Sequence, residues 1–250
     1  MKGVRVKRII IFLALASAIA VSGFAQSPVE PRADTIMKAM SKQLDGASTL
    51  AFSAETTMDE VTASGQKLQR GALVSVLVRR PDRVFAVRDG DMGVRKFSYD
   101  GKMIKVYDPA LGLYASADVS GRIDEALDYL RQKYDIVLPL GNLVRSGFYQ
   151  QVLPMVTSGR YVGLHRVGRT FCHHLAFTTE EVDWQVWVED GPKPLPRKIV
   201  VTYKSISGAP QFTAVIGEWR LSEPISDKAF DLAIPADASR IEILGKDGEQ

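Results

Sequence analysis

Residues 183–203 read DWQVWVEDGPKPLPRKIVVTY. From Asp183 to Val188 polar and bulky residues alternate, with Trp184, Val186 and Val188 on one face and Asp183, Gln185 and Trp187 on the other. From Lys198 to Tyr203 the alternation resumes, Ile199, Val201 and Tyr203 opposing Lys198, Val200 and Thr202. Period-two alternation rich in aromatic and β-branched residues is the signature of a strand. Between the two runs, Gly191 supplies a free backbone angle. Pro192, Pro194 and Pro196 hold the connector extended and offer no amide to a ladder. The stretch therefore predicts two antiparallel strands joined by a stiff turn.

The same grammar extends in both directions. Upstream, Leu50 to Val61, Gly71 to Arg80, Arg83 to Arg88, Arg95 to Tyr99, Lys102 to Tyr107 and Leu111 to Ala117 are strand-like. They are separated by Ala63-Ser64-Gly65, Pro81-Asp82, Asp89-Gly90-Asp91, Asp100-Gly101 and Asp108-Pro109. Nearer the opening stretch, Tyr161 to Val167 and Arg169 to Thr178 flank Gly168, and Gln211 to Arg220 follows. Strands at short, regular intervals predict an antiparallel sheet or barrel, here of about ten or eleven strands. Asp34 is positioned to cap a helix running to Leu44, whose apolar stripe is Ile36, Met37, Met40 and Leu44. The chain thus reads as an α+β domain spanning 34–243, preceded by a tether at 26–33 and followed by a polar tail at 244–250.

Residues 1–25 have the layout of a secretory signal: Lys2, Arg5, Lys7 and Arg8, an apolar run from Ile9 to Val21, and small residues up to Ala25, after which cleavage is expected. That predicts an exported protein. Without those four cations the remainder carries 28 basic and 29 acidic side chains, so the basic balance of the whole chain belongs to the signal. Nothing in the charge balance points to nucleic acid. Cys172 is the single cysteine, so an exported chain of this kind has no internal disulfide and its core must hold unaided.

Chemistry-bearing motifs are sparse. Cys172-His173-His174 invites a metal reading, but on a strand Cys172 and His174 face one way and His173 the other. The chain has neither a Gly-x-Ser-x-Gly elbow nor a phosphate loop nor a zincin helix. Asp183, Glu180 and Glu181 near His173 and His174 form its densest ionisable cluster, and a hydrolase there is the weakest of the functional readings. No metal and no cofactor is expected, and the protein is read as a non-enzyme.

Residues 120–156 break the pattern. Ser120 is positioned to cap a helix in which Ile123, Ala126, Leu127, Leu130 and Tyr134 recur at three and four, followed by the apolar run Ile136 to Leu140 and by Leu143, Phe148, Val152 and Leu153. This is more apolar surface than a connector needs. Either the insert plugs the open side of the sheet as ordinary core, which periodicity alone favours, or it is a lid over an apolar cavity. Arg80 shares parity with Val74, Val76 and Val78, so it ends an apolar strand face. There it either clamps the lid or sits at an edge in water with only its stem packed.

The order signal, helix, meander with Arg80-Pro81, Tyr99-Asp100-Gly101-Lys102 and Val106-Tyr107-Asp108-Pro109, helical insert, strands, and Phe230 to Pro235 resembles the outer-membrane lipoprotein carrier superfamily (LolA/LolB-like). Cys172 to Phe177, Asp183-Trp184-Gln185-Val186-Trp187 and Pro194-Leu195-Pro196-Arg197-Lys198 are similar to a family of predicted periplasmic proteins of unassigned function, over most of the chain after the signal. The carrier resemblance implies an unclosed antiparallel half-barrel, lidded by helices over an apolar cavity for acyl chains. It also implies an arginine of an Arg-Pro pair touching the lid, matched by Arg80, with an aromatic four residues on. Here that position is Val84, and Phe85 lies one further, on the opposite face unless a bulge intervenes.

With that implication the lid reading is adopted, for a monomer that binds a hydrophobic small molecule or lipid. The expected ligand contacts are Arg80, Phe85, Val74, Val76, Val78, Leu127, Leu130 and Leu138. The motif residues Cys172, His173, His174, Asp183, Trp184, Gln185, Trp187, Pro194 and Pro196 are further candidates. The alternative is a cavity-free sensor or assembly module that holds another envelope protein by a sheet edge or by the Trp184 and Trp187 region.

Overall fold

The computed structural model describes residues 27–243 and 245. The signal, its cleavage point and nearly all of the polar tail lie outside the described residues. Helix α1 (Pro31–Asp45) is followed by strands β1 (Thr49–Val61), β2 (Lys67–Arg79), β3 (Arg83–Gly90), β4 (Gly93–Tyr99), β5 (Met103–Asp108) and β6 (Leu113–Asp118). The insert contains α2 (Ile123–Tyr134), α3 (Gly141–Val144) and α4 (Phe148–Val152). Strands β7 (Ser158–Val167), β8 (Thr170–Thr178), β9 (Val182–Glu189), β10 (Pro196–Tyr203), β11 (Gln211–Leu221) and β12 (Ser239–Arg240) complete the chain.

All strands lie in one 12-stranded sheet ordered β12-β6-β5-β4-β3-β2-β1-β11-β10-β9-β8-β7. Two meanders, β1 to β6 and β7 to β11, are sewn together where β1 pairs antiparallel with β11. The two ends of the sheet do not pair, so the half-barrel is unclosed. The expected strands are all present. The one unforeseen is β12, two residues that pair parallel with β6 at Leu113 and Tyr114.

Several boundaries differ from the reading of the sequence. Helix α1 begins at Pro31, inside the stretch expected as a tether, with Glu30 as N-cap. Proline at the first helical turn forfeits no intrahelical bond, so it starts a helix better than it tethers one. Val29 is buried and bridges Gly159 on β7. A Cβ at Gly159 would stand 2.7 Å from the Phe177 ring, which only glycine allows. Asp34 lies inside the first turn and binds Lys38 and Tyr149. Arg122, not Ser120, caps α2, with its amide donating to Glu125 Oε2 at 2.9 Å. The β3–β4 turn sits at Asp91-Met92, at the far end of the expected Asp89-Gly90-Asp91, because β3 runs on to Gly90.

Register fixes which side chains meet the helices. Leu50, Phe52 and Ala54 of β1 stand beside Val78, Val76 and Val74 of β2. Val78 pairs with Val84, which pairs with Tyr99 and then Ile104 and Ala117. On the other wing Leu175 pairs with Val186, and Phe177 with Trp184. These residues form one core with Met37, Met40 and Leu44 of α1 and with Ile123, Ala126, Leu127, Leu130, Leu143, Val144 and Phe148 of the insert.

The outer face of the β2–β6 wing is covered by the segment after β11. Arg79 ion-pairs with Asp227, donates to the Ile225 carbonyl at 3.3 Å and lies 5.1 Å from the Phe230 ring. The 227–230 turn packs on β3, Phe230 and Leu232 are buried, and β12 covers the β6 edge.

Candidate functional site

The insert covers one end of the inner face and leaves the other half-open. The row Val78, Val84, Tyr99, Ile104 and Ala117 is buried beneath it. The next row keeps Val76 and Ala115 buried but leaves Ala86, Phe97 and Val106 half-buried. The row beyond holds Val74, Arg88 and Arg95, also half-buried. The opposite wing shows the same gradient along β10, where Ile199, Val201 and Tyr203 are half-buried against the core. Burial alone pushes the Tyr203 hydroxyl above its ordinary pKa.

Beneath the insert the apolar side chains of helices and sheet are buried. Leu127, Leu130, Leu140, Leu143, Phe148 and Val152 are buried on the sheet, and Phe148 meets Trp184 edge-on at 6.3 Å. Trp184 in turn stacks on Phe177 at 4.2 Å. Two open clefts, each of about 410 Å3, lie elsewhere. One is lined by Lys42, Gln43, Ala47, Pro192, Pro194 and Leu221, the other by Met103, Lys105, Tyr114, Ile234 and Pro235 on the outer face. The insert thus packs as a plug at one end of the inner face and leaves an apolar shelf at the other.

The plug is held by polar contacts around its midpoint. Arg80 donates to Ser146 Oγ and to the Arg145 carbonyl, both at 3.1 Å. The Ser146 amide donates to Asp124 at 3.0 Å, and the Gly147 amide to Asp45 at 2.8 Å. The Tyr149 amide donates to Ser41 Oγ at 3.0 Å, and its hydroxyl to Asp34. Arg145 ion-pairs with Asp128 at 2.7 Å. So five residues, 145–149, tie α1, α2 and the end of β2 together. Burial lowers the pKa of Arg80, while the nearby Asp45 and Asp124 carboxylates oppose that shift. Its Nε is buried without a hydrogen-bond partner.

The expected contacts therefore divide. Arg80, Val76, Val78, Leu127 and Leu130 meet at the junction of insert and sheet, with Val74 on the half-open side. Phe85 pairs with Leu77 and Ser98 and so lies on the outer face, because no bulge restores the shift from Val84. Leu138 is 38% exposed and outside the core. The half-open shelf also presents Ala86, Phe97, Val106, Ile199 and Val201, which were not among the expected contacts. Their strand parity was legible, but not how far along the sheet the insert would reach.

The motif residues fall on two faces. On the outer face His174 stacks on Trp187 at 3.9 Å, its Nε2 donates to Gln185 Oε1 at 2.9 Å, and its Nδ1 lies 3.1 Å from His165 Nδ1. Lys198 lies 4.8 Å from the Trp187 ring. Burial holds His174 below the ordinary histidine pKa, and the charges of His165, Lys198 and Arg160 add to this against the Gln185 bond. Cys172 is fully buried beside Glu189, and burial pushes its thiol up to about 11.

On the inner face His173 contacts Asp190 at 3.1 Å and Tyr161 at 3.3 Å. Trp184 is on that face and Trp187 on the other, so the two do not form one surface. Asp183 pairs with Lys204 at 3.0 Å. Pro196 opens β10 opposite Val188, and its carbonyl accepts from Trp219 Nε1 at 2.9 Å. Among the described residues the Tyr161 hydroxyl is bonded to a histidine but no serine or threonine hydroxyl and no thiol is, and no group of three His, Cys, Asp or Glu is arranged to hold a metal ion. None of the helices among them is long and apolar enough to cross a membrane.

Comparison with solved structures gives matches of low identity. An uncharacterized conserved protein from Thermus thermophilus is 10% identical with a TM-score of 0.51, covering 84% of this chain and 99% of its own. That likeness is one of fold. The lipoprotein LppX of Mycobacterium tuberculosis is 15% identical over 79% of this chain and 98% of its own, TM-score 0.49. A LolA superfamily protein from Nitrosomonas europaea is 10% identical over 80% and 97%, TM-score 0.40. Comparison with curated proteins gives no match. A family model described as "Predicted periplasmic protein (DUF2092)" matches residues 33–244, and the chain belongs to that family.

Proposed function

We propose that the protein binds a hydrophobic ligand, a lipid or the acyl chain of a lipoprotein, on the half-open shelf of its inner face, with the 120–156 insert acting as a lid. The observation that supports this most is the gradient along the sheet. Apolar side chains run on past the insert at Ala86, Phe97, Val106, Ile199 and Val201, where ordinary core would either be covered or turn polar. The lid is held shut by polar contacts at its midpoint, and the closed state leaves Arg80 Nε unmet. An unmet buried donor costs about 1–3 kcal/mol, which lowers the cost of opening. Native mass spectrometry and solvent extraction of purified protein test the reading. Co-purifying lipid, or binding of added palmitate with loss of exposed apolar surface, is the expected result. Failure of every acyl ligand offered would overturn it.

A second reading, docking of another envelope protein, is favoured by one observation. The β7 edge is capped by Pro28 to Glu30 only as far as Tyr161, and beyond it Val162 and Leu164 stand exposed. Leu164→Lys is expected to abolish such docking while leaving ligand binding intact.

A further inference from the structure

We infer that Arg88 and Arg95 form an anion subsite at the mouth of this shelf, and that the ligand carries a phosphate headgroup on its apolar chain. The inference rests on the shelf as the ligand site. Arg88 and Arg95 are direct partners across β3 and β4. They continue the row parity of Val84 with Tyr99 and of Ala86 with Phe97, so both guanidinium stems rise on the inner face, just past the half-buried apolar row. Like charges directly opposite in a sheet repel. One of the two is compensated, since Arg95 Nη1 lies 2.5 Å from Asp108 Oδ2. Asp108 is buried, and its Oδ1 accepts the amides of Ala110 and Leu111 at 2.9 and 3.1 Å. Among the described residues Arg88 has no ion-pair or hydrogen-bond partner, and its neighbours do not neutralise it. The nearby carboxylates are directed elsewhere, Glu60 to Arg70 at 2.8 Å and Asp91 to the Gly71 amide at 2.6 Å and toward Arg70. The mouth thus keeps one uncompensated guanidinium beside a second, at the end of an apolar surface. A pair of planar forks suits a phosphate, which accepts from both at once.

The test compares two probes with the same chain, palmitoyl lysophosphatidic acid and monopalmitoyl glycerol, by fluorescence titration of the intact protein. The phosphate-bearing probe is expected to bind about tenfold or more tightly, since a charge-assisted hydrogen bond accounts for at least that factor. Arg88→Gln should erase that preference without changing the neutral probe's Kd, and Arg88→Lys should restore part of it. Arg88 is half-exposed, so thermal melts of both variants should match the parent. Equal affinity for both probes, or a preference that survives Arg88→Gln, overturns the inference while leaving the shelf as the ligand site. Binding of neither probe overturns both. Saturable binding of inorganic phosphate alone, at the affinity of the lysophospholipid, would reassign the subsite to a free anion and overturn the lipid headgroup.

Discussion

Arg80, the first residue after β2, donates to Ser146, in the middle of the insert, at 3.1 Å. The bond joins parts of the chain that approach only when the insert lies on the sheet. Arg80→Ala removes this contact and the one to the Arg145 carbonyl, but also relieves a buried charge with an unmet Nε. The two effects oppose, so global stability should fall by less than about 2 kcal/mol. The local effect should be larger. Amides of residues 141–152 are expected to exchange about tenfold faster in the variant, read by hydrogen-exchange mass spectrometry, with the β1–β2 ladder unchanged.

Trp184 joins the insert to the β8–β9 wing through Phe148 and Phe177. Trp184→Ala should therefore cost about 3–5 kcal/mol in urea unfolding, as for other large buried aromatics. Trp187→Ala removes a half-buried ring from the outer face, and its cost should be smaller.

The outer-face cluster carries a pH dependence. His174 has a folded pKa below its unfolded value, so its contribution to stability is present above the unfolded value, near 6.5. It is lost as pH falls through that value toward the folded one. Acidification from about pH 7 to pH 5 should then weaken the protein and disturb the Trp187 stack, with a midpoint below that of free histidine. Tryptophan emission followed against pH should show the step in the parent and lack it in His174→Gln.

The segment that crosses the outer face is held by Phe230 and Arg79. Phe230→Ala should destabilise the protein by about 3 kcal/mol or more and raise binding of a hydrophobic dye, because it uncovers β3. Ile206→Ala, at an exposed site, should do neither.

How much of this was legible in the chain varied with the kind of fact. Strand parity survives translation into three dimensions, because the side-chain period of two is local. Trp184 and Trp187, or Cys172 and His173, therefore lie on the opposite faces that alternation required. The contact of Arg80 with the insert was available from parity together with a family resemblance. What local patterning could not supply was register between distant strands. His165, His174 and Gln185 come together only because β7, β8 and β9 pair in one particular alignment. Nor could it supply coverage: nothing in Leu138 or Ala86 says that the insert leaves one exposed and stops short of the other. Nor does periodicity foretell that the segment after β11 covers the outer face, since its buried residues, Phe230 and Leu232, sit in a 3-10 turn and an extended run without period.

The central claim is that an acyl chain lies along Ala86, Phe97 and Val106, at the end of the sheet that the insert leaves half-open. Photo-cross-linking with a diazirine-bearing palmitate, mapped by peptide mass spectrometry, tests it directly. Adducts on peptides 83–99 and 103–108, competed away by unlabelled palmitate, are the expected result. Adducts confined to the outer face or to the cleft beside Pro192 and Pro194, or no competable adduct at all, would contradict it.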